Sequence, residues 1–140
     1  MKKLFVALSL ALALITFAAC AAPAALPAEP TAAPAKAEYR KISAADAKAR
    51  MDSGDAIIVL DVRTKEEFDT GHIPGAVLLP NETIIDTQPD LLPDLDAEIL
   101  IYCRSGNRSA QAANKLIAMG YTSVYDFGGI IDWPYDVVMN

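Results

Sequence analysis

Two short apolar runs, residues 56–60 and 99–102, each end at a polar or reactive residue and lead into a helical pattern, which constrains the fold more than any other feature. Runs of this length without alternation read as strands buried on both faces. After the first run, Thr64 followed by Glu67 is a capping-box signal for a short helix over residues 65–70. After the second, residues 109–119 place Ala110, Ala113, Leu116 and Ile117 on one side of a helix that Gly120 stops. Upstream, Ser43 is the cap of a helix running through Met51, with Gly54 ending it. Residues 76–79 form a further apolar run and 123–127 a last short strand, followed by Gly128-Gly129 and a turn bearing Trp133. Residues 81–98, acidic and broken by proline, read as loop with a short helix. Strands alternating with helices predict an α/β domain, a parallel sheet covered on both faces.

That pattern occupies residues 39–140. The preceding segment is different. Lys2 and Lys3 lead an almost unbroken apolar run over residues 4–17, and small Ala18 and Ala19 precede Cys20. Residues 1–19 have the layout of a signal peptide, too short for a comfortable membrane span. Small residues before a cysteine resemble the lipobox of bacterial lipoproteins, with Phe17 standing where leucine is usual. The resemblance implies a diacylglycerol on Cys20 and membrane attachment through its acyl chains. It implies an exported domain facing the periplasm or the cell exterior. An ordinary cleaved signal peptide with an incidental cysteine is the alternative. Pro23, Pro27, Pro30 and Pro34 alternate with alanines, so residues 20–38 read as the lipobox cysteine and an extended tether.

Charge and cysteine count narrow the chemistry. Residues 39–140 carry nine Lys and Arg against sixteen Asp and Glu, a net charge of −7. This excludes a nucleic-acid partner and a basic membrane-binding face. An anion site must therefore be built locally. The chain has two cysteines, so a disulfide scaffold is excluded. With Cys20 in the targeting segment, Cys103 is the one thiol of the folded domain.

Cys103 sits where a buried strand ends and a helix begins, followed by Arg104, Ser105, Gly106, Asn107, Arg108 and Ser109. Ligands of open α/β sheets bind beyond the carboxyl ends of the strands. A helix start there offers unpaired N–H groups and the positive end of its dipole. Gly106 and Asn107 tolerate the backbone angles of a tight loop, so the N–H groups can converge on one point as an anion cradle. A thiol in that setting has its pKa lowered and suits nucleophilic attack on an anionic substrate.

The stretch from Cys103 to Ser109 resembles the active-site loop of the rhodanese family. Asp61-Val62-Arg63 with Glu67-Phe68, then Gly71-His72-Ile73-Pro74-Gly75-Ala76, then Gly128-Gly129 with Trp133, resemble its other signatures in the family's order. The resemblance implies a rhodanese-like fold, a five-stranded parallel sheet with helices on both faces. It implies a sulfurtransferase in which Cys103 takes sulfane sulfur from a small anion such as thiosulfate, becomes a persulfide, and passes the sulfur to cyanide or a thiol. Neither a metal nor an organic cofactor is implied. The loop from Arg104 to Ser109 would hold the anion. For Arg108 two roles stay open, substrate contact or bracing of the loop. Asp61 and Arg63 read as a supporting charge pair, and His72 as a residue of a structural turn. Four residues separate Cys103 from Arg108. The family's phosphatase relatives have five, so the spacing favours sulfur transfer. Two other functions remain beside this one: a persulfide carrier serving a protein thiol, and a binding module without turnover.

Overall fold

The computed structural model describes residues 37–139. The signal peptide at 1–19, Cys20 and all but the last two residues of the 20–38 tether lie outside the described residues. Among the described residues, no helix is long and apolar enough to cross a membrane.

The elements run β1 (Arg40–Lys41), α1 (Ala44–Met51), β2 (Ile57–Asp61), α2 (Lys65–Asp69), β3 (Val77–Leu78), a 3-10 turn (Asn81–Thr83), β4 (Glu98–Cys103), α3 (Asn107–Ala118), β5 (Val124–Gly129) and a second 3-10 turn (Ile130–Asp132). The strands form one sheet in the order β1-β5-β4-β2-β3, and every pair is parallel. The expected five-stranded parallel sheet with helices on both faces is present.

Alternation along the strands divides the core into two layers. Ile99, Ile101 and Cys103 of β4 join Leu60, Val62 and Val124 beneath Ala112, Ala113 and Leu116 of α3. Leu100 and Tyr102 face the other way, into a cluster with Val59, Phe127, Trp133 and Ala47 of α1. The Tyr102 side chain thus belongs to the opposite layer from Cys103. Trp133 packs on Phe127 with ring centroids 5.5 Å apart.

Both anticipated caps form. Ser43 accepts from the Asp46 N–H and Thr64 from the Glu67 N–H, with the reciprocal carboxylate bonds completing capping boxes. Several boundaries differ from the sequence expectation. α1 closes on Asp52 as its C-cap, so Gly54 lies in the turn beyond it. α3 starts at Asn107, which brings the helix start closer to Cys103. Its buried face is Ser109, Ala112, Ala113 and Leu116, while Ala110 and Ile117 sit at its margins. The segment 81–98 contains one three-residue 3-10 turn and the first residue of β4. β1 was not anticipated. Its two polar residues pair with Tyr125 and Asp126 through the backbone, which leaves no hydrophobic period to read.

Candidate active site

Cys103 is the last residue of the central strand β4 and is 1% exposed. The chain then turns through Arg104, Ser105 and Gly106 into α3. Gly106 has φ 97, in the left-handed region, and is the N-cap without a side-chain cap. The helix's first N–H groups are therefore left available. The Gly106 N–H donates to Cys103 Sγ at 3.1 Å. Burial works to raise the thiol's pKa. The Ser109 N–H and hydroxyl, with the Gly106 and Ser105 N–H groups, outweigh it, so the net shift is downward. Hydrogen bonds to a charged form favour that form, and the site therefore stabilises an anionic sulfur.

The remaining loop residues take different places. Arg104 is exposed, and its guanidinium has no ion-pair partner among the described residues. Its carbonyl accepts the Ile131 N–H at 3.3 Å, tying the loop to the turn after β5. Ser105 and Asn107 are exposed, and Asn107 Oδ1 accepts from Gln111 Nε2 at 2.6 Å. Ser109 is fully buried, its hydroxyl 3.0 Å from the Gly106 carbonyl and 3.3 Å from the Gly128 carbonyl.

Arg108 is held in a two-pronged pair with Glu67, Nη1 to Oε2 at 2.7 Å and Nη2 to Oε1 at 2.8 Å. This pair ties the start of α3 to α2, a geometry suited to bracing the loop. Glu67 also accepts the Thr64 N–H at 3.1 Å, so one carboxylate caps α2 and holds the start of α3 through Arg108. The sequence showed the cap but not the brace, because residues 67 and 108 meet only through the fold. The Arg108 guanidinium, assisted by the Thr64 N–H and against the effect of burial, holds the Glu67 carboxyl down at about 2. A lowered carboxyl pKa contributes stability that is complete above the unfolded value of 4.5 and fades as pH falls through about 2. Glu67→Gln is therefore expected to lose about 1–3 kcal/mol at neutral pH, as for a charge-assisted hydrogen-bonded pair. The gap to wild type should close on acidification through that window. Thermal melts of both proteins across pH measure it.

The other singled-out residues form the support. Arg63 Nε lies 3.0 Å from both oxygens of the fully buried Asp61, and Nη2 bonds Asp61 Oδ2 and the Gly71 carbonyl, each at 2.7 Å. This clamps the end of β2 to the turn that follows α2. His72 belongs to that turn. Its Nδ1 is 3.1 Å from the Phe68 carbonyl, its ring stacks on Phe68 at 3.8 Å, and its backbone bridges to Val138. Among the described residues, no group of three or more His, Cys, Asp or Glu could hold a metal ion.

The glycine pair at the end of β5 is also a physical requirement of the loop. Gly129 stands opposite Cys103 in the sheet. A Cβ placed there would run into the Arg104 carbonyl oxygen and come within 2.6 Å of Ser105 Cα. The loop rests directly on this backbone.

The geometry can be set beside known proteins. Residues 43–134 match the family model described as the Rhodanese-like domain. The chain is 36% identical over 92 residues to the thiosulfate sulfurtransferase GlpE of Pseudomonas entomophila, covering 66% of this chain and 81% of that protein. It is 42% identical over 87 residues to the adenylyltransferase and sulfurtransferase UBA4 of Candida albicans, covering 57% of this chain but 20% of that longer protein. Among solved structures, a rhodanese with anions from E. coli superposes with a TM-score of 0.56 at 32% identity, covering 61% of this chain and all of that one.

Proposed function

The chain belongs to the family of rhodanese-like domains, and from that premise we propose that it is a sulfurtransferase working through a persulfide on Cys103. The observation that carries the reading is the thiol itself. It is buried at the end of the central strand, and N–H groups aimed at its sulfur lower its pKa.

The reaction takes two displacements. The Cys103 thiolate attacks the sulfane sulfur of an anionic donor such as thiosulfate. The donor's S–S bond breaks, and its electron pair leaves with sulfite. Cys103 then carries the outer sulfur as a persulfide, whose negative charge lies within the same N–H cradle. A cyanide or thiolate acceptor attacks that outer sulfur, and Cys103 leaves as thiolate. No electrons are gained or lost by the protein over the cycle. Arg104, exposed and without an ion-pair partner among the described residues, supplies positive charge next to Cys103 in the chain, in a domain of net charge −7. Arg108, engaged by Glu67, keeps the start of α3 in place.

The test is intact mass. Incubation with thiosulfate is expected to add about 32 Da, one sulfur atom, and cyanide should remove it with formation of thiocyanate. A folded protein that gains nothing from thiosulfate, a persulfide or a polysulfide would not be a sulfurtransferase.

A protein thiol as acceptor has one observation in its favour. Ile131, whose N–H binds the Arg104 carbonyl beside the site, is 64% exposed. An apolar side chain at the rim suits contact with another protein. Saturable turnover with cyanide or a small thiol favours the free enzyme, and transfer only to one protein cysteine favours the carrier.

The proposal extends to location. Residues 1–19 act as a signal peptide, Cys20 carries the lipid, and the tether through residue 38 holds the domain 39–140 off an extracytoplasmic membrane face. The layout of charge, apolar run and small residues before Cys20 supports this. Labelled palmitate should appear on wild-type protein in bacteria and vanish in Cys20→Ala; label that persists in the variant would exclude this anchor.

A further inference from the structure

The register between β4 and β5 contains a fault that the sulfur chemistry does not by itself explain. Ile101 stands opposite Asp126, but the next residue, Tyr102, stands opposite Gly128, so Phe127 is an extra residue in β5. Bulges are rare between parallel strands. The result of this one is to set Gly129 opposite Cys103. Gly128, at φ 93, adopts a conformation that favours glycine. Together the two glycines make a bare backbone floor beneath the loop. A Cβ on Gly106 would lie 3.5 Å from Gly128 Cα, and Gly129 has no room for one. The Ser109 hydroxyl lies between floor and loop, near one carbonyl of each.

The group that pins the fault is Asp126. It is 1% exposed, although a buried carboxylate is tolerated only when fully hydrogen-bonded. Oδ1 accepts the Gly128 N–H at 2.9 Å, which closes the bulge around Phe127. Oδ2 accepts the Tyr39 hydroxyl at 2.5 Å. Burial, followed by the contact with Asp126, pushes the Tyr39 phenol up to about 12, so it remains a donor across the physiological range. A leucine or valine would fill this strand position more simply. The carboxylate is explained if the shape of the backbone at Gly128 is what matters.

We propose that Asp126 is a positioning residue for Cys103, fixing the β5 bulge so that the Gly128–Gly129 floor holds the Ser105 and Gly106 N–H groups on the sulfur, with Tyr39 as its partner. Asp126 touches neither the thiol nor the substrate. The inference rests on Cys103 being the reacting thiol.

Thiolate ultraviolet absorbance followed against pH, with Cys103→Ser as the blank, tests it on the full chain. Asp126→Ala is expected to raise the midpoint of the Cys103 titration by about one pH unit, a tenfold loss of thiolate below the midpoint. The value of kcat for thiosulfate turnover at neutral pH should fall with it. Asp126→Asn should restore most of the midpoint, because its amide oxygen can still accept the Gly128 N–H. Tyr39→Phe removes one bond at the margin of the domain and should move the midpoint part of the way with the fold intact. A residue that only stabilises the fold would change melting temperature and not the titration. Folded variants with the wild-type midpoint would therefore overturn the proposal. A wild-type thiol that titrates like an ordinary cysteine would instead overturn the function proposed above, and this inference with it.

Discussion

Cys103→Ser is expected to abolish sulfur transfer and leave the domain folded. The two side chains are similar in shape, and the Gly106 N–H keeps an acceptor near the place where Sγ now receives it at 3.1 Å. The difference is chemical. A serine hydroxyl in the same cradle holds its proton far above neutral pH and has no means of carrying a second sulfur. Removing a covalent nucleophile typically costs on the order of 10⁴-fold or more in kcat. Thiocyanate formation from thiosulfate and cyanide should fall to the uncatalysed background, with a melting temperature near wild type. Turnover clearly above background in the variant would remove Cys103 from the reaction.

The second large effect is expected from the smallest change. Gly129→Ala adds one carbon, and the atoms it meets, the Arg104 carbonyl group and Ser105 Cα, are backbone and cannot rotate aside. Gly129 itself has φ −120, which alanine adopts freely, so any effect comes from space alone. The loop must lift, and the N–H groups that converge on Sγ lift with it. A misplacement of about 1 Å in a reacting constellation can cost about 100-fold in rate. Overpacking of this kind costs about 1–3 kcal/mol in stability. Gly75→Ala is the control. It adds the same carbon where nothing lies within 4 Å, at the strained φ of +79. Gly75→Ala should lose some stability and keep its kcat, whereas Gly129→Ala should lose both. Equal kcat in the two variants would mean that the loop does not depend on its floor.

The contrast between the two variants shows what kind of information the sequence carries. Cys103, its loop and the strand before it could be read directly, because strand, turn and helix start are adjacent in the chain. The Asp61–Arg63 pair was legible for the same reason, being two residues apart at a strand end. The Glu67–Arg108 brace was not, since a capping box already accounted for Glu67 and nothing local links it to a residue 41 positions on. β1 was missed because its two residues, Arg40 and Lys41, are both polar and carry no hydrophobic period. Asp126 was hidden inside a segment correctly read as a strand. The signal was present as an acidic residue in an apolar run just before two glycines, but its meaning depends on a bulge that appears only when β5 is laid against β4.

The position of β4 has a consequence for how the protein loses activity. It has β5 on one side and β2 on the other, and both its faces are covered. Amides in such a strand exchange with solvent only when the whole domain opens, while short margins such as β1 open on their own. Cys103 Sγ is therefore mounted on a strand whose amides are expected to be among the slowest to exchange of the described residues. Heat or denaturant should not yield a population with a frayed, half-working site. Residual activity should follow the fraction of molecules still folded, and the approach to inactivation should be as cooperative as the melt itself.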